Sequence, residues 1–316
     1  MITNRLLKRH GLRIILFFVT TLCSMQIACS SVLLAGGQLI QANITPAIAN
    51  RPILKVMTLN IAHGRKDGLN QLFIGAGTIR NNLGEIAAFL DKTGADVVAL
   101  QEADAPSLWS GNFDHVALLA EQAGYPIFAS SNQASSWFFS YGTALLSRVS
   151  LSGVVHHTFR PSPPTMSKGY TLGQIVWRPH TGEPVLVDIV SVHLDFSRKS
   201  VREQQAAELS DTLAGRGNPV IIMGDFNSDW FADEEVVRAL AERAGLQVFQ
   251  PEAAGFTTYR SSARRFDWIL ISKQLEFVSF EVMPDILSDH FAVVAEIAMP
   301  PSGETGGALQ GDAQSY

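Results

Sequence analysis

The sequence predicts an α/β fold in which β-sheets pack on one another and helices lie outside. Three observations predict it. Short apolar runs outnumber amphipathic helical stretches by roughly two to one. The helical stretches come singly, between pairs of strands, as they do when helices cover sheets from outside. Of the 316 residues 47% are hydrophobic, with no repeat of fixed period and no low-complexity tract in the middle, so one domain of catalytic size is expected over 52–299.

The elements follow in order. "ILKVMTLNIA" reads as a buried strand ending at Asn60. "TIRNNLGEIAAFLDKTGA" reads as an amphipathic helix with Ile79, Leu83, Ile86, Ala87 and Leu90 on one face and Gly94 as its stop. "DVVALQEA" is a strand ending at Glu102, and "FDHVALLAEQAGY" a second helix. "YPIFAS", "GTALLSR" and the stretch from Val149 to His157 are strands, and "PSPPTMSKG" is a loop. "YTLGQIVWR" and "EPVLVDIVSVHLDF" form a hairpin around "PHTG". "KSVREQQAAELSDTLAG" is a helix with Val201, Ala206, Leu209 and Leu213 facing in. "NPVIIMGDFNS" is a strand, and "ADEEVVRALAERAG" a helix with acids in its first turn. "RFDWILIS", "LEFVSFEVM" and "HFAVVAEIAM" close the series as strands.

Polar residues recur where these apolar runs meet loops. Asn60, Glu102, His193, Asp195, Asp225 and Asn227 end strands; Asp267, Asp289 and His290 start them. A lone Asp or Asn at such a place is ordinarily a turn residue that bonds its own backbone, and a lone histidine is ordinarily structural. The collection reads differently. It is rich in carboxylates, carboxamides and imidazoles and holds no thiolate, which suits Mg²⁺ or Mn²⁺ rather than zinc. Converging strand ends would supply a metal site, a base for water and donors for developing charge, the parts of phosphoester hydrolysis. In "VIIMGDFNS", Asp225 and Asn227 are two apart and share a strand face, Phe226 turns to the core, and Gly224 leaves room beside a ligand.

The ends of the chain read differently from the middle. Arg5, Lys8, Arg9 and Arg13 precede the uncharged "IILFFVTTLCSMQIA", the order of an export signal. Residues 1–45 are expected to be a cleaved signal, a lipid anchor at Cys29 or a retained membrane anchor, since the uncharged stretch runs on through Ile40. Each alternative places the domain outside the cytoplasm: periplasmic, secreted or anchored with an outward face. Cys23 and Cys29 are the two cysteines, so the domain has no disulfide and no cysteine nucleophile. The chain carries 24 basic against 29 acidic residues; four bases and no acid precede Cys29, which leaves 20 against 29. An acidic domain is not built for nonspecific polyanion binding. Residues 300–316 are few in apolar side chains and are expected to be a disordered tail.

Taken in order, "VMTLNIAHG", "DVVALQEAD", "YGTALLSR", "VSVHLDF", "VIIMGDFNS", "RFDWILIS" and "SDHFAVVAEI" resemble the endonuclease/exonuclease/phosphatase superfamily, with its deoxyribonuclease-I-like fold. "GDFN" with a late "SDH" is specific in combination. The resemblance implies a four-layered α/β sandwich, with two packed mixed β-sheets and outer helices. It implies a metal site at Asn60 and Glu102 with Asp289 as a further carboxylate, and His193 beside the phosphate or leaving group. It also implies Asp225 as the residue that orients or deprotonates water, Asn227 as its partner on the phosphate, and Asp267 with His290 as an acid–histidine pair. Thr143 stands where the family often has asparagine.

Substrate choice is less legible. Arg264 and Arg265 precede Asp267 and are candidates to grip a second phosphate or headgroup, against the alternative of a solvated loop. Trp137, Phe138 and Phe139 are candidates for an apolar rim, although core packing is the commoner use of such side chains. Lys66 and Lys168 are further candidates for the cleft. The expectation is a monomeric, metal-dependent phosphodiesterase of the cell envelope acting on a lipid headgroup or small phosphoester. An exported nuclease with the same site and a noncatalytic anchored binding module are the alternatives.

Overall fold

A computed structural model describes residues 32–34, 37–41, 48–68, 70–231 and 235–301. Strands β1 (Val32–Leu34), β2 (Gly37–Gln41), β3 (Ala49–Asn50) and β4 (Ile53–Asn60) lead to helix α1 (Ala76–Thr93) and strand β5 (Val97–Asp104). Helix α2 (His115–Gln122) precedes β6 (Ile127–Ser131), β7 (Ala134–Ser135), β8 (Ser140–Ser147), β9 (Leu151–Thr158), β10 (Gly169–Arg178) and β11 (Val185–His193). Helix α3 (Lys199–Ala214), strand β12 (Val220–Asp225) and helix α4 (Val236–Ala244) follow, then β13 (Leu246–Val248), β14 (Asp267–Ser272), β15 (Glu276–Val282) and β16 (Val293–Ala298).

The strands form two sheets. One has the order β1-β2-β6-β8-β5-β4-β16-β15 with β7 beside β8; the other has β13-β14-β12-β11-β10-β3 with β9 beside β10. Both are mixed, because β4–β5 and β11–β12 are parallel and most other pairs antiparallel. Three apolar clusters explain the layering. Helices α1 and α2 bury Ile79, Leu83, Ile86, Val116 and Leu119 on the outer face of the first sheet. Helices α3 and α4 bury Ala206, Leu209, Val237 and Leu240 on the outer face of the second. Val56, Leu145, Trp177, Ile189 and Met223 fill the space between the sheets. The result is the expected four-layered α/β sandwich.

Local rules hold for most elements. Helix α1 ends at Gly94, whose left-handed φ of 65° suits a residue without a Cβ. Asp114 caps α2 by accepting from the Ala117 N–H at 2.9 Å. Some expectations are corrected. The strand expected from Val149 begins at Leu151. Val201 is half-buried rather than inward; α3 turns Arg202 and Gln205 inward instead, and there Gln205 accepts from the Asp195 N–H at 2.8 Å while Arg202 donates to the Asp195 carbonyl. Glu235 precedes α4 rather than lying in its first turn; Asp233 and Glu234 lie outside the described residues.

Of the leader expected over 1–45, residues 1–31, 35–36 and 42–47 lie outside the described residues, as do residues 302–316 of the tail expected over 300–316. The uncharged stretch does not run helical through Ile40, however: Gly37–Gln41 pairs antiparallel with β6 at the edge of the first sheet. Among the described residues no helix is long and apolar enough to cross a membrane.

Candidate active site

Both sheets send strand ends to one place. β4 ends at Asn60, β11 at His193 and β12 at Asp225, while β14 starts at Asp267. Registers fix their neighbourhood: His193 is opposite Asp225 across the parallel β11–β12 pair, and Asp225 is opposite Asp267 across the antiparallel β12–β14 pair. Asp225 therefore lies at the centre. Asn60 Nδ2 donates to Asp225 Oδ2 at 3.0 Å. His193 Nε2 lies 3.4 Å and His290 Nε2 3.8 Å from the same oxygen. On its far side His290 Nδ1 meets Asp267 Oδ2 at 2.8 Å, which fixes the ring.

Glu102 enters by a different device. The β5–β8 register shifts between Leu100 and Ala103, so Glu102 sits in a bulge with a left-handed φ of 52°. A bulge re-aims a side chain that strict alternation would send elsewhere. Asn227 likewise has φ of 49°, just past β12. Its N–H donates to Asp225 Oδ1 at 2.9 Å and its side-chain amide to the Leu194 carbonyl at 3.1 Å. One amide hydrogen thus remains for a ligand.

The charges are arranged as unlike neighbours. Burial raises the Asp225 carboxyl above the usual carboxylate range; the His290 charge opposes that rise and the Asp267 charge adds to it. Burial alone would lower His290, but the charges of Asp267 and Asp225 outweigh it and hold the imidazole protonated far above its ordinary range. Burial would raise Glu102, yet the charges of His63, Lys168 and His290 hold it well below. Burial and the Lys168 charge push His193 down.

Asn60, Glu102, His193, Asp225, Asn227, Asp267 and His290 are brought to this end of the sandwich. Asp289 is beside His290 in sequence, but its carboxylate is paired with Arg65 rather than open to an ion. Arg265 is not at the cleft. Its guanidinium lies 3.9 Å over the Trp268 ring and 5.0 Å from that of Phe256, and it donates to the carbonyls of Phe249 and Gln250. That packing removes it from ligand contact, and burial lowers it to about 9. Arg264 is exposed, and its carbonyl accepts from the Thr258 and Tyr259 N–H groups. Lys66 pairs with Glu85 away from the site, whereas Lys168 is buried with its ammonium 3.1 Å from His193 Nε2.

Three further residues belong to this end and were not singled out from sequence. His63 Nε2 lies 3.2 Å from Glu102 Oε2, and its Nδ1 lies 2.9 Å from Asp104 Oδ2. His115 stands behind, 3.5 Å from Asp104 and bonded to the Ser110 carbonyl at 3.0 Å. The available signal was "NIAHG" ending β4 and "QEAD" ending β5, where a second histidine and a second acid follow the expected ones. Two other readings change. A Cβ at Gly224 would lie 1.9 Å from the Val192 carbonyl oxygen, so this glycine serves close approach of β11 rather than a ligand. Thr143 lies in a buried network between the sheets with Gln133 and Thr171, each at 2.9 Å.

The sequence matches the Endonuclease/Exonuclease/phosphatase family over residues 57–290. The chain belongs to that family. It is therefore a metal-dependent phosphoester hydrolase, and the gathered strand ends are the candidate site for that chemistry. Solved structures agree on the fold. An endonuclease/exonuclease/phosphatase from Beutenbergia cavernae is 20% identical, with 79% of this chain and 72% of that chain covered and a TM-score of 0.63. The human Nocturnin catalytic domain with bound sulfate is 18% identical, with 79% and 96% covered and a TM-score of 0.58. A mannosyl-6-phosphatase from Bacteroides thetaiotaomicron is 16% identical, with 78% and 100% covered and a TM-score of 0.55. No curated protein gave a significant match.

The donor set fits the divalent metal that the family uses. Ligand atoms of Asp225, Asp267 and His290 all lie within 4.8 Å of one another; His290 is protonated and offers no lone pair, so the carboxylate oxygens are the ligands on offer there. Asp267 Oδ1 is buried without a hydrogen-bond partner, and the side chain of the ionised Glu102 is 20% exposed. Hard oxygen ligands dominate, as Mg²⁺ or Mn²⁺ requires.

Proposed function

We propose that this hydrolase is a phosphodiesterase of the cell envelope, acting as a monomer on a lipid headgroup or small phosphoester by attack of water. Asp225 carries the reading: it is a buried carboxylate held between Asn60, His193 and His290. Burial weakens it as an acid, so it takes a proton from water more readily than an exposed carboxylate would. Asn60 and the Asn227 N–H hold its two oxygens in a fixed orientation. His290, kept protonated by Asp267, places positive charge where a pentavalent phosphorus would gather negative charge. His193, kept neutral by burial, can donate a hydrogen bond to a phosphoryl or leaving-group oxygen without competing for the proton. A divalent cation held by Glu102 and Asn60, with Asp267 as a further carboxylate, would offset charge on the nonbridging oxygens.

The envelope location rests on the basic-then-apolar order of residues 5–28. Purified protein is expected to hydrolyse bis-(p-nitrophenyl) phosphate with Mg²⁺ or Mn²⁺. Asp225→Asn should lower kcat by about a hundredfold to ten-thousandfold, the usual contribution of a positioned base, and Glu102→Ala should abolish metal-dependent turnover. Variants as active as the wild type would overturn the mechanism. A panel of lipid, nucleotide and inositol phosphoesters selects the substrate. Plasmid nicking in preference to these would favour the nuclease, and no hydrolysis of any would favour a binding module.

A further inference from the structure

Three loops at the active-site end carry large apolar side chains into solvent. Phe73 is 87% exposed, Trp137 86%, Leu108 66% and Leu72 56%. They are joined into one rim. The Trp109 N–H donates to the Phe138 carbonyl at 3.1 Å, and the Trp137 and Phe138 rings lie 5.5 Å apart. Gln71, beside Leu72, donates to the carbonyls of both His63 and Trp109. The rim also meets the site directly, because the Trp109 ring packs edge-on against His63 at 5.1 Å and His63 touches Glu102.

Exposed apolar groups in such number mark a docking surface. Charge decides between occupants. None of residues 70–74, 105–113 and 133–141 is Asp, Glu, Lys or Arg, in a chain that is 17% charged and carries a net −5. A surface for single-stranded nucleic acid interleaves its aromatics with cations that follow the phosphates. An anionic membrane would likewise call for Lys and Arg. Trp, Phe and Leu at uncharged loop tips instead match the boundary between headgroups and acyl chains, where amphipathic rings reside.

We propose that this rim docks the active-site end onto an electrically neutral lipid surface, so that the phosphodiester is taken from the lipid–water interface. The inference rests on the phosphodiesterase reading and deepens it. The hydrophobic leader could bind vesicles too, so the test must read the rim itself. Full-chain protein is mixed with phosphatidylcholine vesicles that contain brominated acyl chains, and fluorescence quenching is compared between wild type and Trp137→Phe. Expected is a quenched component that disappears in the variant. Phe73→Ser with Trp137→Ser should cut hydrolysis of vesicle-borne phosphodiester by about tenfold or more and leave turnover of soluble bis-(p-nitrophenyl) phosphate within about twofold. Absence of Trp137-dependent quenching would overturn the docking, as would quenching by single-stranded oligonucleotide in its place. So would burial of Trp137 in a dimer that persists without lipid. If soluble diester is not hydrolysed by the wild type, the phosphodiesterase reading fails; if it is hydrolysed without quenching, only the docking fails.

Discussion

His63 is bonded on both sides, to Glu102 at 3.2 Å and to Asp104 at 2.9 Å, and holds a left-handed backbone with φ of 56°. Such a backbone costs a non-glycine residue on the order of 1–3 kcal/mol, which the two carboxylate contacts offset. On the proposed mechanism it is a positioning residue that acts through Glu102. His63→Ala is therefore expected to weaken Mn²⁺ affinity by about 10–100-fold, read by calorimetric titration, with His63→Gln recovering part of it. Unchanged affinity in His63→Ala would remove this role. Legibility at this scale was uneven. Asn60, Glu102, Asp225, Asp267 and His290 were readable because polar groups at the ends of apolar runs need a reason. Arg265 is packed rather than free for a ligand: Trp268, Phe256 and Phe280, three, nine and fifteen residues away, are turned onto its guanidinium only by the fold.

Strands and loops place these residues by means that pattern alone does not display. The β5 bulge re-aims Glu102, and Gly224 lets β12 close on β11. Gly224→Ala should cost about 1–3 kcal/mol, as overpacking does, and lower activity through displaced Asp225; a denaturation midpoint equal to wild type would show that the strands relax freely. The turn after β11 hangs on Asp195, whose carboxylate accepts from the Ser197 and Arg198 N–H groups, each at 2.9 Å, and from the Ser162 and Thr165 hydroxyls. It is thus a turn acid that pins the 162–165 loop. Burial would raise it, but these hydrogen bonds more than offset that and hold it at about 2, below its ordinary 3.8. A depressed carboxyl stabilises the folded state at pH above its unfolded value and loses that contribution as pH falls through the folded one. Asp195→Asn should remove about 2 kcal/mol near neutral pH. The gap from wild type should shrink between about pH 4 and pH 2, as pH-resolved urea denaturation can check.

The whole molecule is two sheets whose ends share one site, so anything that binds there ties the layers together. Saturating Mg²⁺ or Mn²⁺ should raise the melting temperature, with about 2.7 kcal/mol of stabilisation at a hundred times Kd. Scanning calorimetry on wild type and Glu102→Ala should show the rise in the first and little in the second; equal rises would place the ion elsewhere. By itself the sequence determined the element types, the two-faced helices, the family and the residues fit for phosphoester chemistry. The elements and the candidate residues follow from periodicity and chemical type, which are local properties, and the family follows from the order of its motifs. Only the tertiary structure decided which polar ends share a site, that Asp289 is occupied by Arg65, that Arg265 is packed among aromatics, and that His63 backs Glu102. Each depends on where side chains are turned in space, which is set by strand register, a bulge and the packing of one sheet on the other.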